Sequence, residues 1–548
     1  MTGDALLTLD QVTISLPRGG DRPHAIETLS LTLAQNEILC IVGESGSGKS
    51  LTALAVMGLL PTGVRLAGGS IRFDGQELSA LDDAAMRKLR GARLGMIFQE
   101  PMTALNPVMR VGDQIAEVLR FHGRDRGIKA RVLELLNAVG LPDPGSLRLA
   151  YPFRLSGGQR QRVMIAMALA LDPAILIADE PTTALDVTTQ AQILALIKSI
   201  QAKRGMGVLF ITHDFGVVAE IADRVGVMQH GRLVEIGAAG DVLDRPQHAY
   251  TQSLLAAVPR LTPRRRDAIT SDVTLAVENI SKIFRSSAGW FKPHRRVAAV
   301  KDVTIDVRAG ETLGIVGESG SGKSTLARLI VRLVKADGGR VAIRGIPGDF
   351  LELPAAELRH RRRRVQMIFQ DPYASLNPRR RVGDIIAQGP LAHGEARATV
   401  QQRVADLLRL VRLDPASADR YPHEFSGGQR QRIGIARALA LEPELLIADE
   451  PVSALDVSVQ AQVLDLLDEL QRRFAFAMLF ITHDLRVAAQ VCDRIAVMRA
   501  GEVVEHGPTS EVLATPRHDY TRQLLASVPG RKWSLAHAAG MDPAATRS

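Results

Sequence analysis

The chain has 548 residues, 46% hydrophobic and 23% charged, with a formal net charge of +9. That length exceeds what one hydrophobic core supports, so two or more domains are expected, and the balance excludes a disordered or collagen-like chain. The positive charge fits an anionic neighbour, nucleic acid or a membrane surface, without choosing between them.

No apolar run reaches the roughly 18 residues that cross a bilayer; the longest candidate, Val163 to Ala178, is broken by Asp172 and Pro173. The N-terminus MTGDALLTLD lacks a basic segment followed by an apolar one, so no secretory signal is expected and the cytoplasm is the default compartment. Two cysteines, Cys40 and Cys492, cannot build a zinc or iron-sulfur site, and two reduced thiols are expected.

In chain order, ILCIV (Ile38 to Val42) reads as a short buried strand, GESGSGKS (Gly43 to Ser50) as a loop, and LTALAVMGLL as a helix. A strand, G-x-x-x-x-G-K-[ST] and a helix together form a phosphate-binding loop. Its glycines let successive N–H groups face one anion, and the helix N-terminus adds its positive dipole end. Lys49 is placed to reach the β- and γ-phosphates and the Ser50 hydroxyl to ligate Mg²⁺. The candidate ATP contacts are Gly43, Glu44, Ser45, Gly46, Ser47, Gly48, Lys49, Ser50 and Leu51.

Further along, FQEP begins at Phe98, LSGGQRQR at Leu155, and the apolar run ILIADE (Ile175 to Glu180) ends in two carboxylates. Open α/β sheets place their ligands at such strand ends. Asp179 fits a Mg²⁺ ligand and Glu180 the group that polarises attacking water. GVLFITH then ends at His213, a candidate γ-phosphate contact.

All of this recurs. GESGSGKS returns at Gly317, 274 positions after Gly43, and FQDP, FSGGQRQR, IADEP and FITHD follow it in the same order. Ser156 to Asp179 and Ser426 to Asp449 both span 23 residues, and Asp179 to His213 and Asp449 to His483 both span 34, whereas Lys49 to Gln99 spans 50 against 47 for Lys323 to Gln370. Length changes are thus confined to the front of each unit. The second set is Gly317, Glu318, Ser319, Gly320, Ser321, Gly322, Lys323, Ser324 and Thr325, with Asp449, Glu450 and His483. The chain is a tandem duplication whose boundary falls in the Pro- and Arg-rich stretch Val258 to Asp272.

These motifs, above all LSGGQ and FSGGQ, resemble the ATP-binding-cassette (ABC) transporter ATPases along nearly the whole chain. The resemblance implies an α/β fold of two tandem P-loop NTPase domains, each with a RecA-like core, an antiparallel β subdomain and an α-helical signature subdomain. It also implies ATP hydrolysis with Mg²⁺. Domain 1 would span 1–262 and domain 2 273–530, each closing with a peptide-importer-type segment (about 240–260 and 510–530), with a linker at 263–272 and a flexible tail at 531–548.

In the family the signature of one cassette, here Ser156, Gly157, Gly158 and Gln159 or Ser426, Gly427, Gly428 and Gln429, faces the γ-phosphate held by the other, so the halves would form two composite ATP sites as a head-to-tail pseudo-dimer. Gln99 and Gln370 match the Q-loop, which senses Mg²⁺ and water and couples to membrane subunits; Asp186 and Asp456 match the D-loop. Both acid pairs are present, so two hydrolytic sites are expected. The family also stacks adenine on an early aromatic residue, which aligns with Leu16 in the first half and Phe284 in the second, so weaker adenine binding is expected at the first loop.

Within the family, the closing segments Arg245 to Pro259 and Thr515 to Pro529 resemble the dipeptide and oligopeptide importers. That branch implies two permease subunits, an extracytoplasmic solute-binding protein, a peripheral position on the cytoplasmic face of the inner membrane, and no nucleic acid. Its cargo includes peptides, nickel and glutathione. The rival is a tandem ATPase acting on ribosomes or DNA; the short linker and the missing zinc modules disfavour it. Two basic segments, Gly289 to Arg296 and Arg359 to Arg364, read either as solvated surface or as contacts to anionic headgroups.

Overall fold

The computed structural model describes residues 5–17, 22–183, 185–264, 269–286, 295–453, 455–531 and 533. It divides into two compact units: Met1–Leu185, Thr189–Val258 and Pro529–Ser548 form one, Asp186–Thr188 and Pro259–Val528 the other.

In the first unit the strands are β1 (Ala5–Ser15), β2 (His24–Ala34), β3 (Ile38–Val42), β4 (Arg65–Phe73), β5 (Gln76–Glu77), β6 (Leu94–Ile97), β7 (Ile175–Asp179), β8 (Gly207–Ile211), β9 (Arg224–Gln229) and β10 (Arg232–Ala238). They form an antiparallel sheet ordered β2-β1-β4-β5 and a six-stranded sheet ordered β10-β9-β3-β8-β7-β6. Strands β3, β7 and β8 are buried at every residue, which is why they read as unbroken apolar runs: a parallel strand covered on both faces has no polar side. Helices Val111–Phe121, Ile128–Ala138 and Gly157–Ala168 lie in sequence between β6 and β7 and pack on one another.

The second unit repeats the plan with β11 (Val273–Ser286), β12 (Arg295–Arg308), β13 (Thr312–Val316), β14 (Gly338–Ile343), β15 (Val365–Ile368), β16 (Leu445–Asp449), β17 (Ala477–Thr482), β18 (Arg494–Arg499) and β19 (Glu502–Pro508). Its sheets run β12-β11-β14 and β15-β16-β17-β13-β18-β19. This is the expected α/β architecture: a mostly parallel core, an antiparallel subdomain and a helical subdomain.

Consecutive parallel strands β3, β8, β7 and β6 end at one edge of the sheet. That edge therefore collects, in order, the glycine loop, His213, the Asp179–Glu180 pair and Gln99. The helices after the glycine loops are shorter than their apolar runs, ending at Val56 and Ile330. The chain leaves each helix through a left-handed residue, Gly58 (φ 62°) or Arg332 (φ 54°), the usual exit from a helix.

Cys40 and Cys492 are both buried, and no disulfide joins them. Among the described residues no helix is long and apolar enough to cross a membrane. Of the basic run Arg359 to Arg364, Arg361 contacts Glu357, Arg362 donates to Arg332 O and Arg364 pairs with Glu444, so half of it serves the fold. Gly289–His294 lie outside the described residues, as does most of the 531–548 tail; within that tail Trp533 Nε1 donates to Asp244 Oδ1 at 3.0 Å in the first unit.

Candidate functional site

Each glycine loop is shaped by its neighbours. A Cβ on Gly43 would sit 2.2 Å from Met228 O and one on Gly317 2.2 Å from Met498 O, so no larger residue fits at the loop's start. Lys49 Nζ donates to Gly43 O (2.7 Å) and Glu44 O (2.8 Å). Lys323 Nζ repeats this with Gly317 O and Glu318 O at the same distances. Both ammonium groups are held inside the loop by its own carbonyls, and burial lowers the pKa of Lys323. Among the described residues Ser47 Oγ is buried with no hydrogen-bond partner.

The hydroxyl that follows each lysine meets the first carboxylate. Ser50 Oγ donates to Asp179 Oδ1 at 3.0 Å, and Ser324 Oγ to Asp449 Oδ1 at 2.9 Å. Burial, reinforced by the adjacent Glu180, pushes Asp179 up to about 6 against the Ser50 hydrogen bond; Asp449 is raised for the same reason.

The second carboxylate stands in the opposite environment. Glu180 faces His213 Nδ1 at 3.2 Å through Oε1 and accepts from Gln99 Nε2 (3.0 Å) and Thr183 Oγ1 (2.9 Å) through Oε2. Glu450 faces His483 Nδ1 (3.3 Å) and accepts from Gln370 Nε2 (2.9 Å). Burial works to raise both glutamates, but the hydrogen bonds and charges around each, led by the histidine and joined by the loop lysine, together outweigh it: Glu180 falls to about 2 and Glu450 is lowered. Reciprocally, Glu450 raises His483 although burial opposes it.

Two adjacent acids are thus pushed in opposite directions by their surroundings, which suits them to different roles. Both glutamates also carry left-handed backbone, φ 45° and 47°, rare for a non-glycine residue and worth about 1–3 kcal/mol of strain. Their N–H groups, bonded to Ile211 O and Ile481 O at 2.9 Å, hold that conformation.

Models of the ABC transporter family match residues 26–183 and 300–453, over half of the chain. The chain belongs to this family. The oligopeptide/dipeptide transporter C-terminal region also matches twice, at 234–285 and 504–547. Among curated relatives, the glutathione import ATP-binding protein GsiA of Pectobacterium atrosepticum is 48% identical over 94% of this chain and 88% of its own length. GsiA of Escherichia coli is 48% identical over 96% and 89%. The peptidoglycan transport ATP-binding protein YejF of Agrobacterium fabrum is 48% identical over 95% and 96%.

This ABC ATP-binding protein is therefore an ATPase with two cassettes. Its signatures open the helices Gly157–Ala168 and Gly427–Leu439, each through a reciprocal cap: Ser156 N donates to Gln159 Oε1 (3.0 Å) while Gln159 N donates to Ser156 Oγ (3.3 Å), and Ser426 and Gln429 do the same at equal distances. That cap satisfies the N3 donor and leaves the earlier N–H groups to other acceptors. The glycines have a second reason as well. A Cβ on Gly158 would lie 2.5 Å from Thr189 Cγ2, and one on Gly428 2.2 Å from Val459 Cγ1.

Asp186 accepts from Thr188 Oγ1 at 2.7 Å, and Asp456 stands at the N-cap of the helix Val457–Phe474. Leu16 and Phe284 occupy equivalent registers. Gly48 abuts Ala25 O as Gly322 abuts Ala299 O. Stepping back along each strand, Leu16 N bonds Pro23 O where Phe284 pairs with Val297. Phe284 is 44% exposed with Lys282 Nζ 5.7 Å above its ring.

One pair was not read from the motifs: Tyr250 and Tyr520, whose hydroxyls reach the loop residues Glu44 and Glu318. The signal was present, since each follows its FITHD histidine by 37 residues, the same fixed spacing that marks the acids.

Proposed function

We propose that this chain is the energy-coupling subunit of an importer for peptide-like solutes, seated on the cytoplasmic face of the inner membrane. It would serve two permease subunits and an extracytoplasmic solute-binding protein. The observation that carries the reading is the doubled match to the oligopeptide/dipeptide transporter C-terminal region. Relatives named for glutathione and peptidoglycan transport point to the same cargo class.

ATP would lie over Gly43–Leu51 and Gly317–Thr325, with Lys49 and Lys323 turning from the loop carbonyls to the β- and γ-phosphates. The signatures Ser156–Gln159 and Ser426–Gln429, with Asp186 and Asp456, would each complete the opposite cassette's site, a pairing that rests on the family resemblance. Leu16 and Phe284 would rest on adenine. The domain limits 1–262 and 273–530 follow from the same reading.

Mg²⁺ fits the residues present. Ser50 Oγ with Asp179 Oδ1, and Ser324 Oγ with Asp449 Oδ1, are paired hard oxygens about 3 Å apart, with Gln99 and Gln370 beside the acids. Among the described residues no group of three or more His, Cys, Asp or Glu could hold a metal alone, as suits an ion that takes one or two protein oxygens and completes its shell with phosphate and water. When bound, Mg²⁺ neutralises developing phosphate charge.

Glu180 and Glu450, charged and each fixed by an imidazole and a glutamine, would orient and polarise the attacking water. His213 and His483 would donate to the γ-phosphate. The test is to find permease and solute-binding-protein genes in its genomic neighbourhood and to co-express them with this chain. ATP-dependent uptake of a dipeptide or glutathione into vesicles is expected; uptake of neither, with no complex formed with membrane subunits, would overturn the reading.

A further inference from the structure

The closing segments marked as peptide-importer-type have no part in the chemistry above, yet each is anchored at one end and touches the phosphate loop at the other. Glu235 on β10 accepts the N–H groups of Gln247 (2.8 Å) and His248 (3.2 Å); Glu505 on β19 accepts those of Arg517 (2.7 Å) and His518 (3.0 Å). The histidine then caps a helix, Nδ1 of His248 accepting from Tyr250 N (3.2 Å) and that of His518 from Tyr520 N (3.1 Å). These contacts fix the tyrosine of the first turn.

Glu44 N donates to Tyr250 Oη at 3.3 Å, and Glu318 N to Tyr520 Oη at 3.2 Å. The N–H of Glu44 belongs to the same peptide group as Gly43 C=O, which accepts from Lys49 Nζ at 2.7 Å. One peptide plane is thus held at both ends, by the phosphate-loop lysine and by the tyrosine. The second cassette repeats this with Gly317, Glu318 and Lys323. There Tyr520 is 3% exposed and Arg499 lies over its ring at 4.9 Å.

We propose that Tyr250 and Tyr520 are positioning residues for ATP binding, each hydroxyl fixing the first peptide of its phosphate loop. When the lysine leaves that carbonyl for the nucleotide, the tyrosine still restrains this peptide. A loop already ordered costs the ligand less to occupy. The closing segment thereby acts on the nucleotide site of its own cassette. This inference rests on ATP binding and not on the cargo, so failure of either leaves the other standing.

The test is the full-length double variant Y250F/Y520F, which keeps both rings. Titration with a ribose-labelled fluorescent ATP analogue, steady-state hydrolysis and thermal melting are read together. Expected is a rise of about three- to tenfold in Kd and KM for ATP, the range of one lost neutral hydrogen bond, with kcat within about twofold and an unchanged Tm. A second double variant, E235Q/E505Q, which loosens the anchor and leaves the hydroxyls intact, should raise KM in the same direction. An unchanged Kd and KM in Y250F/Y520F overturns the proposal, and so does a lower Tm with falling kcat at constant KM, the pattern of a merely structural contact.

Discussion

The side-chain amide of Gln99 lies 3.0 Å from Glu180 Oε2, and the equivalent Gln370 lies 2.9 Å from Glu450 Oε2. Each glutamine begins the loop after an edge strand of the parallel sheet, so movement of that loop must disturb the carboxylate it holds. The histidine beside each glutamate, with the loop lysine, favours its charged form against the cost of burial.

Replacing Glu180 or Glu450 by glutamine preserves shape and removes the charge. Hydrolysis should fall at least about a hundredfold for the altered site, within the range for a lost general base, while ATP stays bound. Phosphate release and retention of radiolabelled ATP through rapid gel filtration measure both. A single variant that retained the full rate would show that only one cassette turns over.

Much of this site was legible because its determinants are local. A strand ending in a glycine loop, or an apolar run ending in two acids, fixes the backbone that presents the group, and a parallel sheet brings such ends to one edge. Three features were not legible. The opposite displacement of Asp179 and Glu180 depends on burial and on a histidine 33 residues away. The left-handed backbone at Glu180 is set by a bond to a neighbouring strand, which no property of glutamate announces. The tyrosines act through a contact spanning 206 residues in one cassette and 202 in the other, beyond any periodicity.

The hydroxyl–carboxylate pairs make a metal-dependent prediction. Ser50→Ala with Ser324→Ala should raise the Mg²⁺ concentration for half-maximal hydrolysis about tenfold, the size of losing a charge-assisted hydrogen bond or its equivalent metal contact. Excess Mg²⁺ should restore the rate, and chelation should abolish it in wild type and variant alike. ATP binding measured without Mg²⁺ should be unchanged; a large drop there would place these serines on phosphate instead.

The signature glycines can be separated by stability. A Cβ at Gly428 would be 2.2 Å from Val459 Cγ1, whereas at Gly427 the nearest atom, Leu455 Cδ2, is 3.6 Å away. Gly428→Ala should therefore cost about 1–3 kcal/mol by overpacking and lower Tm by about 2–4 °C per kcal/mol. Gly427→Ala should leave Tm in place and change hydrolysis alone. Scanning calorimetry decides, and Val459→Ala added to Gly428→Ala should recover the loss.

The loops are identical in sequence, but what flanks them is not. Leu16 and Phe284 share one register, and only Phe284 offers a ring, which is 44% exposed. Stacking of a base on an aromatic side chain contributes about 1–3 kcal/mol, of which leucine recovers part. In a Lys49→Ala background, which disables the first loop, Phe284→Leu should weaken ATP binding at least about fivefold. In a Lys323→Ala background, Leu16→Phe should strengthen it by a similar factor. Inorganic tripolyphosphate, which has no base, should bind each pair equally, so calorimetric titration with both ligands isolates the stacking contribution. Equal ATP affinities across the substitutions would show that adenine rests elsewhere and that the two nucleotide sites do not differ at this position.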